Sequence, residues 1–272
     1  MLKKLEGDAY NDFWKEYSTN IKLGIMEDPS NRARLSKLLR FQTSNTKDDK
    51  LSSLTDYTSR MKPKQEWIYY IAAASRHEAE KSPFIERLVA RGYEVIYLVE
   101  AVDEYCISAL PEFDGKKFQN VAKEGFTLPE SEDAKAKFDE LKSKFEPLAK
   151  WFQDVGLKDQ ITKAMVSEKL TNTPCVLIAS MFGWTGNMER LALSNAHKKA
   201  NDVSQSYYLN QKKALEFNPR HPVIKELLRR VDLDQNDPKA KEIAELLLDT
   251  AILRSGFMLH ETSKFADSID NL

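Results

Sequence analysis

Three acids, Glu100, Asp103 and Glu104, stand directly after the apolar run Val95 to Val99. If that run is a strand, they occupy the place where α/β enzymes carry catalytic carboxylates, and an enzyme using the acids near Asp103 is one reading. No His, Lys or second carboxylate cluster accompanies them in the sequence, so solvated acids opening a helix are the other. The turn that would cradle a pyrophosphate reads Ala72-Ala73-Ala74-Ser75, which is neither GxGxxG nor a P-loop. His77, His197, His221 and His260 are scattered and no GxSxG occurs, so a hydrolytic triad has no support. Cys106 and Cys175 belong to no CxxC and have no His pair beside them, which leaves buried free thiols rather than a zinc or redox site. No catalytic, cofactor-binding or metal residue is assigned.

The elements around these residues follow from periodicity. Residues 10 to 60 read as helices broken at Asp28-Pro29-Ser30-Asn31, with Leu35, Leu38 and Leu39 at helical spacing and a polar loop from Thr43 to Lys50. Ile68 to Ile71 and Val95 to Val99 are β-rich runs. Between them lie the capping-box spacing Ser75-Arg76-His77-Glu78 and a helical restart at Ser82-Pro83 that stops at Gly92. This predicts a βαβ unit with parallel strands. Phe118 to Val121, after the turn Phe113-Asp114-Gly115-Lys116, is a third strand candidate.

From Ser131, the stripe Ala134, Phe138, Leu141, Phe145, Leu148 and Phe152 predicts a charged helix linking two domains, bent or divided at Pro147 and ended by Gly156. Strand-like runs follow at Ile161 to Val166 and Cys175 to Ala179, and helices thereafter to the end.

Two apolar surfaces stand out. Met181, Phe182 and Trp184, then Met188, Leu191 and Leu193 after a turn at Thr185-Gly186-Asn187, combine adaptable thioethers with broad aromatic faces. A filled local core would use the same residues. The helix opening at Asp237-Pro238 and stopping at Gly256 is apolar on more sides than one core needs, so it suits either a symmetric bundle or an intrachain core.

The chain has 272 residues, room for two modest domains. Lys plus Arg (41) nearly equals Asp plus Glu (42), which excludes the cationic excess that nucleic-acid binding needs. No run of 18 apolar residues and no apolar h-region near Met1 occurs, so neither membrane insertion nor a signal peptide is expected.

At this point the sequence is identified as similar to a family. NIKLGIMEDPSNRARLSKLLRF, YEVIYLVEAVDEYCISAL, PEFDGKKFQNVAKEG and FGWTGNMER resemble the ninety-kilodalton heat-shock chaperones, in order and with family spacing, across Tyr10 to Gly256. LRFQTS, FQNVAKEG, NPRHPVIKELLRR and LRSG favour the endoplasmic-reticulum branch over the cytosolic paralogue, which stays as the alternative.

The resemblance implies a helix-rich, non-enzymatic piece of an ATP-driven chaperone. Its fold would be an α/β middle-domain portion, a small parallel sheet flanked by helices, followed by an α+β carboxyl-terminal dimerisation domain. The divisions would be a helical connector at 1–62, an α/β subdomain at 63–128 and the dimerisation domain at 129–272. ATP and Mg²⁺ would bind the full-length parent at residues before Met1, with no cofactor here. The partners would be client proteins in non-native states, a second protomer and possible co-chaperones, in the reticulum lumen, with no retention signal present.

Met181, Phe182, Trp184, Met188, Leu191 and Leu193 match the family's client-facing segment. This sequence reads NMERLALSNA there, where most members continue NMERIMKAQA. Ile243, Leu246, Leu247, Leu248, Ile252, Leu253, Phe257 and Ile269 match two helices of an intersubunit four-helix bundle, the second still running at Leu272. Met188→Asp is then expected to weaken client contact without unfolding, and Leu247→Asp or Leu248→Asp to separate protomers.

Overall fold

The structure, a computed structural model, describes residues 7–47, 50–195 and 203–270. The chain forms two compact units, one of Met1–Lys81 with Leu88–Val121 and one of Ser82–Arg87 with Ala122–Leu272.

The first unit opens with α1 (Gly7–Glu27), whose Tyr10, Trp14 and Ile25 are buried at helical spacing. The Asp28 carboxylate ends it by accepting from the Asn31 backbone (3.1 Å) and side chain (2.6 Å), while Arg32 Nε donates to the Ile25 carbonyl at 2.8 Å. The helical reading through Leu39 is corrected beyond α2 (Arg32–Leu35). After a 3₁₀ turn at Ser36–Leu38, Leu39 turns extended (ψ 141°) and β1 (Arg40–Thr43) follows, with Phe41 and Thr43 buried at period two. Its partners are distant in sequence: β2 (Ser52–Ser53) on one side and β4 (Ile96–Leu98) on the other, both antiparallel.

The predicted βαβ unit is present: β3 (Trp67–Ala72) runs parallel to β4. Between them lie α3's successors, α4 (Arg76–Glu80), capped by Ser75, and α5 (Glu86–Ala90), with α3 itself (Leu54–Ser59) preceding the unit. Gly92 follows α5 at φ +70°, where a side chain would be strained. Beyond α6 (Asp103–Ala109), β5 (Glu112–Phe113) and β6 (Lys116–Asn120) form a hairpin. Its two turn residues, Asp114 and Gly115, have φ of 48° and 72°, the left-handed pair a tight hairpin favours. The sheet order is β2-β1-β4-β3-β6-β5. The expected small parallel sheet is therefore the centre of a mixed six-stranded one with antiparallel edges.

In the second unit, Ser131 caps α7 (Glu132–Trp151), which buries Phe138, Phe145, Leu148 and Trp151. Two expectations about this helix are corrected. It lies within the second unit rather than linking domains, and of the two outcomes expected at Pro147, a bend or a division, the division does not occur. Ser143, whose carbonyl loses its partner to the proline, is exposed and open to water. A π turn at Phe152–Gly156 follows, and a Cβ on Gly156 would lie 2.5 Å from the Trp151 ring.

The reading of helices alone after Ala179 is also corrected. Besides β7 (Ala164–Val166) and β8 (Cys175–Ile178) there is β9 (Ala214–Phe217), the central strand, parallel to β7 and antiparallel to β8. Helices α8 (Gly186–Asn195) and α9 (Val203–Leu209) precede β9. After it come α10 (Pro222–Leu233), α11 (Pro238–Arg254) and α12 (Thr262–Asp270), with Gly256 at φ +78° just past α11.

Candidate functional site

The segment after β8 displays large apolar groups. Met181 is 60% and Phe182 85% exposed. Gly183 turns the chain behind them: its N–H donates to the Ser180 carbonyl at 3.0 Å, and a Cβ would lie 2.7 Å from Ser180 Oγ. Half-buried Trp184 stacks on Tyr208 of α9, with centroids 4.9 Å apart and planes at 13°. Exposed Tyr207 meets the edge of Tyr208 at 5.3 Å. A stacked aromatic pair thus follows two exposed apolar side chains, one an adaptable thioether and one a broad ring. Tyr207 and Tyr208 lie outside the sequence-predicted set; their adjacency after a polar stretch was the only signal.

Other members of the expected set turn inward. Met188 is only 9% exposed, and its N–H is directed to Thr185 Oγ1 at 3.3 Å. Leu191 and Leu193 are half-buried. Met188→Asp would place a charge in packed surroundings, which corrects the expectation that it leaves folding untouched.

The α11 residues divide similarly. Leu247 and Leu248 belong to the unit's own core with Ala240, Ala244 and Ala251, and Phe257 joins them. Ile243, Leu246 and Ile252 are half-buried, while Leu253 (49%) and Ile269 (45%) are exposed, as is Met258. A charge at Leu247 or Leu248 would damage the intrachain core, so loss of dimer mass in those variants does not by itself identify an interface.

The three acids are not uniformly solvated. Glu100 is exposed, but Asp103 and Glu104 are buried. Lys22 of α1, itself buried, reaches Asp103 at 2.6 Å and Glu100 at 2.8 Å, and lies over the Trp14 and Phe41 rings. Burial pushes the Asp103 carboxyl up, against the pull of Lys22. Glu104 accepts from Asn120 Nδ2 at 3.0 Å. This is an ion cluster closing α1 onto α6, with Lys22 in helical phase with Trp14 and Ile25 as its overlooked signal.

Both cysteines are free and buried, and burial pushes the Cys106 thiol up to about 12 and the Cys175 thiol higher. His221 caps α10, its Nδ1 accepting from Val223 N–H at 3.3 Å. His197 lies outside the described residues. Among the described residues, no three His, Cys, Asp or Glu are grouped to hold a metal, and no helix is long and apolar enough to cross a membrane.

Set beside known proteins, this chain matches the family model described as Hsp90 protein over residues 1–272. The chain belongs to the Hsp90 family. It is 57% identical over 270 residues to a Caenorhabditis elegans protein named endoplasmin homolog, covering 99% of this chain and 35% of that protein. An Arabidopsis thaliana endoplasmin homolog is 45% identical over 262 residues, covering 96% of this chain and 31% of that protein. This Hsp90 chain thus spans about a third of the length of these relatives (35% and 31%).

Proposed function

We propose that this Hsp90 chain contributes the client-holding and self-associating part of an ATP-driven chaperone of the endoplasmic-reticulum lumen, with the nucleotide site in the remainder of the parent. The observation that carries the reading is the pair Met181 and Phe182, large apolar side chains held in water beside a rigid aromatic stack. A folded chain that gains nothing from such exposure uses it to bury apolar surface of another molecule, at roughly 25 cal/mol per Å² removed from water. The partner chemistry that fits is an apolar stretch of a non-native protein. Thioethers and exposed rings adapt to varied shapes and read no fixed sequence.

Self-association through the last helices fits the exposed Leu253, Met258 and Ile269. It assigns the core residues Leu247 and Leu248 a supporting role only. No catalytic step is assigned to the chain; Asp103, buried and 2.6 Å from Lys22, is read as bracing α1 against α6.

The test is suppression of aggregation of a thermally unfolded reporter protein by the chain carrying Met181→Ser and Phe182→Ser. Holding should fall several-fold while the urea midpoint stays put, because exposed substitutions shift stability by only about 0.5 kcal/mol. Undiminished holding would overturn the assignment. For self-association, sedimentation equilibrium of Leu253→Asp with Ile269→Asp should show a dimer weakened relative to the unsubstituted chain.

A further inference from the structure

Among the described residues, two contacts of opposite quality join helix α8 to the body of the second unit. At its first residue, a Cβ built on Gly186 would lie 2.5 Å from the Gly256 carbonyl carbon and the Ser255 oxygen, so backbone meets backbone and no side chain fits. One turn on, Glu189 points inward toward Lys213, just before β9, and toward His260, after α11. The side chains of Glu189 and Lys213 are 7% and 13% exposed, yet Oε2 and Nζ stand 4.0 Å apart. That is too long for a hydrogen bond, and Oε2 accepts none among the described residues.

Lys213 also lies over the Phe257 ring, 5.0 Å from its centroid. Burial pushes the Glu189 carboxyl up and the Lys213 ammonium down, each only partly offset by the other's charge. A buried pair at this separation returns little of its desolvation cost. The apolar grip of the helix is also small, since Met188 is buried but Leu191 and Leu193 are only half-buried.

We propose that α8 is a hinged cover, seated at the Gly186–Gly256 contact and closed by a weak Glu189–Lys213 latch, and that its opening adds Met188 to the Met181–Phe182 surface. The occupant is an extended apolar segment of a non-native protein, and this part rests on the client reading above. A tight seat at one end and an under-satisfied charge a turn away make rotation about the seat the least costly motion of this helix.

The experiment uses the chain with Met188→Cys and measures its rate of alkylation by a maleimide, with buried Cys106 and Cys175 as internal reporters. Adding Glu189→Gln leaves Lys213 without its counter-charge and should speed labelling at position 188 by at least about tenfold. Replacing the pair by Glu189→Leu with Lys213→Met removes the buried charges and should slow labelling below the starting rate.

Equal rates in all three proteins would overturn the latch. So would an acceleration accompanied by Cys175 reactivity, since α8 would then open only with the whole unit. Reporter aggregation, measured with Met188 restored, separates the two readings. Labelling that responds while holding does not would keep the cover and remove its client.

Discussion

Two buried ion pairs in this Hsp90 chain are built to opposite standards. In the first unit, Lys22 lies 2.6 Å from Asp103 and 2.8 Å from Glu100, with Trp14 and Phe41 rings against its ammonium. In the second, Lys213 and Glu189 are 4.0 Å apart. The residue types are alike and the burial is similar, so geometry decides what each does. A close, multiply contacted pair recovers more of its desolvation cost and fixes one arrangement, whereas a distant pair recovers less and leaves its helix easier to release.

The comparison breaks most sharply at Lys22. Lys22→Met leaves Asp103 buried without a cation, and the first unit should lose about 3 to 5 kcal/mol in urea unfolding. Adding Asp103→Leu should restore much of that loss, because the charge needing compensation is gone. A loss under about 1 kcal/mol in the single variant would place this pair in the same loose class as Glu189–Lys213.

Glu86 sharpens the contrast with a carboxylate satisfied by hydrogen bonds instead of a cation. It accepts from the N–H groups of Thr171 (2.8 Å), Asn172 (2.9 Å) and Thr173 (3.4 Å) and from the Thr173 hydroxyl (2.6 Å). Burial raises its pKa, but these donors outweigh burial and hold it below 4.5. A depressed carboxylate contributes stability that is present above its unfolded pKa and is lost as pH falls through the folded one. Glu86→Gln should therefore cost about 2 kcal/mol at neutral pH. The gap between the two proteins' urea midpoints should close as pH falls below 4.5. A gap independent of pH would mean the carboxylate charge contributes nothing.

The most local expected effect is at Gly186. Gly186→Ala inserts a methyl group 2.5 Å from backbone atoms of Ser255 and Gly256, and overpacking of this kind costs about 1 kcal/mol or more. Its mark should be local: faster amide exchange across α8, with β8 and β9 still protected. Uniform loss of protection would show that the seat supports the whole unit and not only the cover.

How far the sequence could be read differs between these regions. The parallel pair β3 and β4, the turn at Asp114–Gly115, the start of α7 and the boundaries of α11 were legible because each is written locally, in apolar period, cap and turn residue. Strand β1 was hidden because Leu35, Leu38 and Leu39 just before it carry a helical phase up to its first residue, and only pairing with β4 decides for extension. Strand β9 was hidden because Ala214 to Phe217 is short, contains Glu216 and sits among lysines, Asn and Arg, so nothing in four residues predicts the centre of a sheet. At the candidate site, the apolar character of Met181 to Leu193 was legible and its division into outward Met181 and Phe182 and inward Met188 was not.

The sequence by itself determined the family, through long strings of matching residues, and determined the local elements whose signals lie within a helical turn or a hairpin. The tertiary structure decided which side chains share a dielectric. Lys22 and Asp103 are 81 positions apart and Glu189 and Lys213 are 24 apart, yet each pair is buried together. The same types serve elsewhere as solvated charges, as in the exposed pair Glu146–Lys150. Burial and distance are properties of the packed chain, and they set whether a charge locks a fold, caps a loop or leaves a helix free to move.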